Sequence, residues 1–128
     1  MQTLEQQYAR AVYEKVANYQ NEESSRRESY GRMAQKLPVL IRTAGLAQAL
    51  AFVEAKASGS NEWPYHRLLD DLADVLGEAS RDALLQKSRE AELAEYAYLT
   101  RQAMLALTWF KRFSQSILNV DITAGEGD

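Results

Sequence analysis

The strongest constraint on the fold is an unbroken helical pattern near the end of the sequence. Apolar residues recur there at alternating spacings of three and four, at Tyr96, Leu99, Ala103, Ala106, Phe110, Phe113 and Ile117. This spacing puts them on one face of an α-helix that we expect to span about residues 89–118. Residues 103–110 are apolar on nearly every side. The pattern predicts a long helix that is either central in the fold or covered by a partner.

The rest of the sequence also favours helices over strands. Ala, Leu, Glu, Gln, Lys and Arg make up 71 of the 128 residues, whereas Val, Ile and Thr make up only 14. The first group loses little rotamer freedom in a helix. A capping box at Thr3–Gln6 predicts a first helix to about Gln20, and Pro38 predicts a kink or a break in the second.

The sequence therefore predicts an all-α protein, a compact bundle of about five to six helices with a long C-terminal helix. Residues 1–118 are expected to form a single helical domain. Residues 119–128 contain two glycines and three acids, and we expect them to be a disordered acidic tail.

No apolar run approaches the roughly 18 residues that span a membrane, and the start lacks the features of a signal peptide. A cytoplasmic protein is the expectation.

The usual residues for metal or nucleophilic catalysis are missing. The chain has no cysteine and one histidine, His66, which we interpret as a surface or interface residue. Asp70, Asp71 and Asp74 could invite a metal, but Arg67 lies within reach of the first two, so a solvated face is the preferred interpretation. No glycine-rich phosphate loop is present. We therefore predict a protein that is not an enzyme, with no metal site and no cofactor.

Positive charge is left without a local partner at a few helical positions. Most basic residues have an acid three or four residues away, and Lys15 and Lys56, which do not, lie next to Glu14 and near Glu54. Five helical residues stand out with no such partner: Lys36, Arg42, Arg101, Lys111 and Arg112. Arg101 and Arg112 are eleven residues apart, which is about three helical turns, so they share a face with Thr108 between them. Unpaired cations and a hydroxyl donor on one face suit phosphate binding. Solvated charge that only aids solubility is the alternative.

Three aromatic residues are candidate contacts for a protein partner. Trp63 and Tyr65 bracket a proline beside a loop, where they could anchor a partner or fix the helix entrance to the core. Trp109 and Phe110 are adjacent on the long helix and point about 100° apart. We expect one of them to be core and the other to face a neighbouring subunit.

Three sequence blocks carry a resemblance to a known family. The first is Thr3–Gln6 with Tyr8 and Ala9, the second is Lys36–Ile41 followed by Gly45–Phe52, and the third is Tyr98–Ala103 leading to Trp109–Phe113. In this order they resemble the small subunit, subunit five, of the type III-B CRISPR effector, the Cmr complex. Ala44 departs from the pattern, because the family often has Asn before the glycine.

This resemblance implies a non-catalytic subunit in antiviral defence. Several copies would stack into a filament that supports the guide–target RNA duplex, beside the backbone subunits and the large subunit of the complex. Lys36, Arg42, Arg101, Lys111 and Arg112 would then contact RNA phosphates, and Trp63, Tyr65 and Trp109 would contact protein. The alternatives are a helical adaptor that binds only protein, and the related small subunit of the type III-A Csm complex.

Overall fold

Six α-helices surround one apolar core in the computed structural model, which describes residues 1–122. They are α1 (Leu4–Ala17), α2 (Ser24–Ala44), α3 (Leu46–Lys56), α4 (Glu62–Val75), α5 (Arg81–Glu90) and α6 (Leu93–Ser116), with a short 3₁₀ turn at Gly59–Asn61 before α4. No strand occurs among the described residues. The predicted all-α bundle with a long C-terminal helix is confirmed.

The helix α6 is central because it packs against both α1 and α2. Its stripe of Leu99, Ala103, Ala106 and Phe110 is buried, as the spacing predicts. The helix begins at Leu93 rather than near Arg89, because Ala91 and Glu92 adopt extended backbone after α5. Burial of this stripe against two helices fixes where the remaining faces of α6 point.

Local capping decides several helix ends. The Thr3 hydroxyl accepts a hydrogen bond from the Gln6 amide at 3.0 Å, and the Gln6 side chain accepts one from the Thr3 amide at 2.9 Å. This confirms the capping box. At Gly45, φ of 91° and ψ of 161° lie in a region that is almost exclusive to glycine, and this single residue separates α2 from α3. The Tyr96 hydroxyl accepts a hydrogen bond from the Ala47 amide and so caps α3 from α6.

Pro38 does not divide the second helix. The helix α2 continues from Ser24 to Ala44, so the predicted break is wrong. Pro38 cannot donate to the carbonyl four residues earlier, but its own side chain is buried, as are Leu37 and Ile41 on either side of it. Burial of both halves of the helix against the same core holds them in one continuous element.

The three aspartates of α4 have separate roles, and they do not form a solvated face. Asp71 is only 5% exposed, and its Oδ2 accepts hydrogen bonds from the hydroxyls of Tyr19 (2.7 Å) and Tyr30 (2.8 Å). Asp70 pairs with Arg81 at 2.8 Å, and Asp74 pairs with Lys15 at 2.6 Å. The predicted solvated face is therefore wrong for Asp71. Among residues 1–122 no three His, Cys, Asp or Glu side chains lie close enough to hold a metal ion.

The segment after α6 packs back onto α2. Asn119 has a φ of 61°, in the left-handed region that Asn tolerates, and the chain reverses there. Leu118 and Val120 are buried, and Gln35 bonds to both the Val120 carbonyl and the Ile122 amide. The prediction of a disordered tail from residue 119 is therefore wrong for residues 119–122, because they pack on α2. The rest of that predicted tail, residues 123–128, lies outside the described residues.

Candidate nucleic-acid interface

The groove between α2 and α6 is the surface on which the predicted cations meet. The two helices run antiparallel, because Gln35 in the middle of α2 bonds to Ser114 near the end of α6, whereas Ala47, just beyond the end of α2, bonds to Tyr96 near the start of α6. The groove has a volume of about 270 Å³. Its walls include Pro38, Val39 and Arg42 from α2, and Thr108, Lys111 and Arg112 from α6. We call this surface the α2–α6 groove.

Three of the five predicted phosphate-binding residues line this groove. Arg42 extends from α2, and Lys111 and Arg112 extend from α6, and all three side chains are exposed. Within residues 1–122 none of the three forms an ion pair. Two helices that are far apart in sequence thus bring three unpaired cations to one concave surface.

Several other basic residues are neutralised by acids. Arg10, Arg26 and Arg32 pair with Glu14, Glu22 and Glu28, respectively, at 3.5 to 3.6 Å, each with an acid four residues away. Longer-range pairs join Arg81 to Asp70, and Lys87 to Glu78 at 2.9 Å. The Glu78 side chain raises the pKa of Lys87 through this hydrogen bond, as Asp70 does for Arg81. The cations of the groove differ from these in having no such partner among the described residues.

Lys36 and Arg101 lie outside the groove. Both side chains are exposed, and neither forms an ion pair in the described part of the chain. Arg101 is seven residues before Thr108, so it lies on the same face of α6, about 10 Å further along the axis. Lys36 follows the groove residue Gln35 on α2. The structure therefore brings three of the five residues together and leaves two beside them.

Thr108 does not provide the hydroxyl donor that the sequence suggests. Its Oγ1 donates to the Met104 carbonyl at 3.0 Å, within α6. A hydroxyl has a single proton to donate, so this bond leaves only acceptor capacity for a ligand. The side-chain donors that remain for an anion at this part of the groove are the guanidinium groups and the ammonium group.

Trp63 is held inside the fold more than its position beside a loop suggests. It is partly buried, and its ring meets Tyr19 edge-on with centroids 5.3 Å apart. The guanidinium carbons of Arg26 and Arg67 lie 5.3 and 5.7 Å from the same ring. These contacts join the start of α4 to α2 and to the turn that precedes it. Arg67 thus packs on Trp63, and only the outer part of the ring is available to a partner.

The other two aromatic candidates are also partly buried. Trp109 stacks on Phe113 with ring centroids 5.5 Å apart, and Phe113 meets Tyr13 at the same distance, edge-on. Phe110 is fully buried, so it is the member of the adjacent pair that belongs to the core. Tyr65 packs against the core from α4.

Other exposed apolar residues were not predicted from the sequence. Leu93 is 83% exposed, and Tyr98 and Leu105 also point to solvent from α6. Tyr98 and Leu105 are seven residues apart and lie beside the buried stripe of α6 instead of on it. Their position off the stripe is the signal that could have identified them, since apolar residues there have no place in the core.

The sequence also matches a known protein family. The family model described as CRISPR-associated protein (Cas_Cmr5) matches residues 4–117. The chain belongs to the Cmr5 family. A curated Cmr5 relative, "CRISPR system Cmr subunit Cmr5" of Thermus thermophilus, is 44% identical over 118 residues, which are 92% of this chain and 98% of that protein.

A solved Cmr5 structure agrees in fold. The crystal structure of a CRISPR-associated Cmr5 family protein, also from Thermus thermophilus, superposes with a TM-score of 0.82 at 45% identity. The superposition covers 92% of this chain and 99% of that one. The resemblance seen in the three sequence blocks is thereby confirmed. No helix within residues 1–122 is long and apolar enough to cross a membrane.

Proposed function

We propose that this Cmr5-family chain is a non-catalytic subunit of a type III-B CRISPR Cmr complex and binds RNA phosphates in the α2–α6 groove. Its curated relative is named as a subunit of the Cmr system. The observation that supports RNA binding is the convergence of Arg42, Lys111 and Arg112 on one exposed groove. Their charges have no acidic partner within residues 1–122.

The chemistry of the groove favours phosphate over bases. Guanidinium groups form paired, charge-assisted hydrogen bonds with phosphate oxygens. Single-stranded bases are usually held by stacking on aromatic rings. No aromatic side chain is among the described residues that line the groove. A subunit that contacts only the backbone can serve any guide sequence, which suits a complex in which base pairing reads the target.

The residues beside the groove extend the proposed surface. Arg101 continues the exposed face of α6, and Lys36 adds a cation on α2. Together with the groove they offer up to five contacts along a guide–target duplex. One chain has few such contacts, so several copies would be needed for tight binding, through the effective concentration that assembly provides.

Stacking between copies of the chain requires an apolar surface that is separate from the α2–α6 groove. Leu93 and Tyr98 near the start of α6 are the proposed centre of that face, because they are among the most exposed large apolar residues of the described chain. The outer parts of Trp63, Tyr65 and Trp109 would contact the backbone and large subunits. Assembly of this kind takes place in the cytoplasm, where we place the protein.

Charge reversal in the groove tests the proposal. In a reconstituted Cmr complex, Arg42→Glu with Arg112→Glu should weaken target-RNA binding by more than about tenfold, because hydrogen bonds between charged groups contribute roughly 1.5–3 kcal/mol each. The complex should still assemble, since both side chains are exposed. Filter binding with labelled target RNA measures the affinity, and size-exclusion chromatography measures assembly.

The matched control is Arg10→Glu with Arg32→Glu. These arginines are also exposed, and each already pairs with an acid. Their reversal should leave target-RNA binding within about twofold of the wild type. Equal losses from both double variants would refute the groove as the RNA surface. An adaptor that binds only protein would show no loss from either.

A further inference from the structure

A second pocket lies near the start of α6, where that helix meets α1, α5 and the turn between α4 and α5. It has a volume of about 210 Å³. We call it the α1–α6 pocket, and the RNA contacts proposed above do not use it. The polar and aromatic side chains that line it are Tyr8, Glu78, Lys87, Glu95, Tyr98 and Gln102.

A buried amide in this pocket has a hydrogen-bond acceptor to spare. Gln102 is only 8% exposed, and its Nε2 donates to the Tyr8 hydroxyl at 3.0 Å. The Gln102 Oε1 accepts no hydrogen bond from residues 1–122. Leaving a buried acceptor without a donor costs free energy, so such atoms usually have a partner. The pocket thus presents an acceptor to a hydrogen-bond donor from outside the chain.

The carboxylates of the pocket outnumber its one cation. Lys87 Nζ lies 2.9 Å from Glu78 Oε2 but 3.8 Å from Glu95 Oε2. The hydrogen bond to Glu78 is the largest cause of the raised pKa of Lys87. The Glu95 side chain is 57% exposed, and the long distance to Lys87 leaves its oxygens able to accept other hydrogen bonds. Two carboxylates and one ammonium group give the pocket a net negative charge.

An exposed aromatic ring completes the lining. Tyr98 is 58% exposed, although Leu99 beside it in the chain is buried. The face of an aromatic ring attracts cations, and a planar guanidinium group also stacks on it. A guanidinium group carries five N–H donors and no acceptor, which suits a pocket of free acceptors. Ring, carboxylate and amide oxygen together therefore fit an arginine side chain.

The α1–α6 pocket and the α2–α6 groove lie on opposite sides of α6. Leu99 lines the pocket and Thr108 lines the groove. They are nine residues apart, which at about 100° per residue is half a turn of the helix. The carboxylates of the pocket would repel the phosphates of RNA. The arginine therefore has to come from a protein, and it can bind while RNA occupies the groove.

We propose that the α1–α6 pocket receives an arginine side chain from the protein chain that packs against Tyr98. Its guanidinium group donates to Gln102 Oε1 and to the Glu95 carboxylate, and it stacks on the Tyr98 ring. The chemistry of the pocket supports this site without reference to RNA. That the partner chain is another subunit of the Cmr complex rests in addition on the proposed function.

A small arginine derivative tests the pocket on the isolated protein. Nα-acetyl-arginine methylamide is titrated into ¹⁵N-labelled protein, and the amide chemical shifts are followed by NMR. The signals of Leu99 and Gln102 should shift in a saturable way. The matching citrulline derivative has a neutral urea in place of the guanidinium group and should bind about tenfold more weakly, because it lacks charge-assisted hydrogen bonds. Equal affinity for the two compounds, or no saturable shift at these residues, would overturn the site.

Two exposed side chains of the pocket provide a variant that should still fold. Glu95→Gln with Tyr98→Ala should weaken binding of the arginine derivative by about tenfold, since it removes a charged acceptor and the stacking surface. The matched control is Glu90→Gln with Tyr13→Ala, which removes the same groups at exposed positions outside the pocket. Its affinity should equal that of the wild type. An equal loss in both double variants would count against the pocket.

The assembled complex tests whether another subunit supplies the arginine. In a reconstituted Cmr complex, Glu95→Arg with Tyr98→Ala should reduce incorporation of this subunit several-fold, as measured by native mass spectrometry. The same isolated variant should bind a fluorescent 20-nucleotide oligouridine as the wild type does, because the groove is on the other side of α6.

The outcomes distinguish this site from the RNA surface. If the arginine derivative binds but incorporation of the variant is normal, no subunit fills the pocket and the docking is overturned, whereas the RNA groove is unaffected. If the variant loses oligouridine binding, the pocket belongs to the RNA surface, and the docking of a protein there is equally overturned. Failure of the groove itself is judged separately, by its own charge-reversal variants.

Discussion

Asp71 is the residue whose environment departs most from that expected for a carboxylate on a helix. Burial raises its pKa above the ordinary value of 3.8, and the hydrogen bonds from Tyr19 and Tyr30 oppose that rise. Burial likewise raises the pKa of both tyrosine hydroxyls, with the Asp71 charge adding to the effect. One buried carboxylate thus ties the turn between α1 and α2, the helix α2 and the helix α4 together at a point where the sequence suggested a solvated surface.

The raised pKa gives stability a definite pH dependence. The folded protein holds the Asp71 proton more tightly than the unfolded chain, so Asp71 makes folding less favourable as pH rises from 3.8 through its raised folded value. Asp71→Asn removes this titration. The free energy of unfolding of the wild type minus that of the variant should therefore increase as pH falls through this window. Urea denaturation followed by circular dichroism at several pH values measures both proteins, and a constant difference would contradict the assignment.

The contact between α2 and the segment after α6 depends on the absence of one side chain. Gly31→Ala would place a Cβ 2.8 Å from the Cβ of Val120, which is too close for any pair of carbon atoms. We expect a loss of about 1–3 kcal/mol in the free energy of unfolding, because Val120 must move. In a Val120→Gly background the same change should stabilise by about 0.5–1 kcal/mol, since alanine favours helix over glycine. Thermal and urea unfolding of the four proteins measure the cycle, and the same sign in both backgrounds would exclude this packing.

Local signals in the sequence were sufficient for most helices but not for their tertiary contacts. The capping box at Thr3 and the apolar stripe of α6 depend on residues a few positions apart, and both are confirmed. The burial of Val120 depends on Gly31 and Gln35, which are more than 80 residues away along the chain. A segment as short as residues 119–122 has no periodicity from which the burial of Val120 could be predicted. The continuity of α2 through Pro38 likewise depends on the core that it packs against.

The candidate site was predictable only in part, because local sequence signals identify its residues but not their tertiary arrangement. The absence of an acid three or four residues away is a local property, and it selected all three cations of the groove. Which of the five selected residues share a surface depends on the faces that α2 and α6 turn towards each other. That choice is made by buried residues such as Gln35 and Ser114, which bond across the interface at 2.9 Å. Arg101 and Lys36 satisfy the local rule but lie outside the groove.

At the scale of the whole molecule, the net charge of −3 does not oppose RNA binding. Exposed charges farther apart than about 8 Å are largely screened at physiological ionic strength. Much of the acidic charge is engaged elsewhere, as in the pairs of Asp70 with Arg81 and of Glu78 with Lys87. An RNA strand at the α2–α6 groove therefore responds mainly to the cations beside it.

Salt dependence reports how many phosphates those cations contact. Each contact on a single strand changes the slope of log K against log salt concentration by about −0.7. Arg42→Gln with Arg112→Gln should therefore make the slope for oligouridine less negative by about 1.4, whereas Arg10→Gln with Arg32→Gln should leave it unchanged. Fluorescence anisotropy titrations across a series of low salt concentrations give both slopes. A loss of affinity with an unchanged slope would mean that the two arginines stabilise the RNA surface without contacting phosphate, because only the release of counterions by a phosphate contact changes the slope.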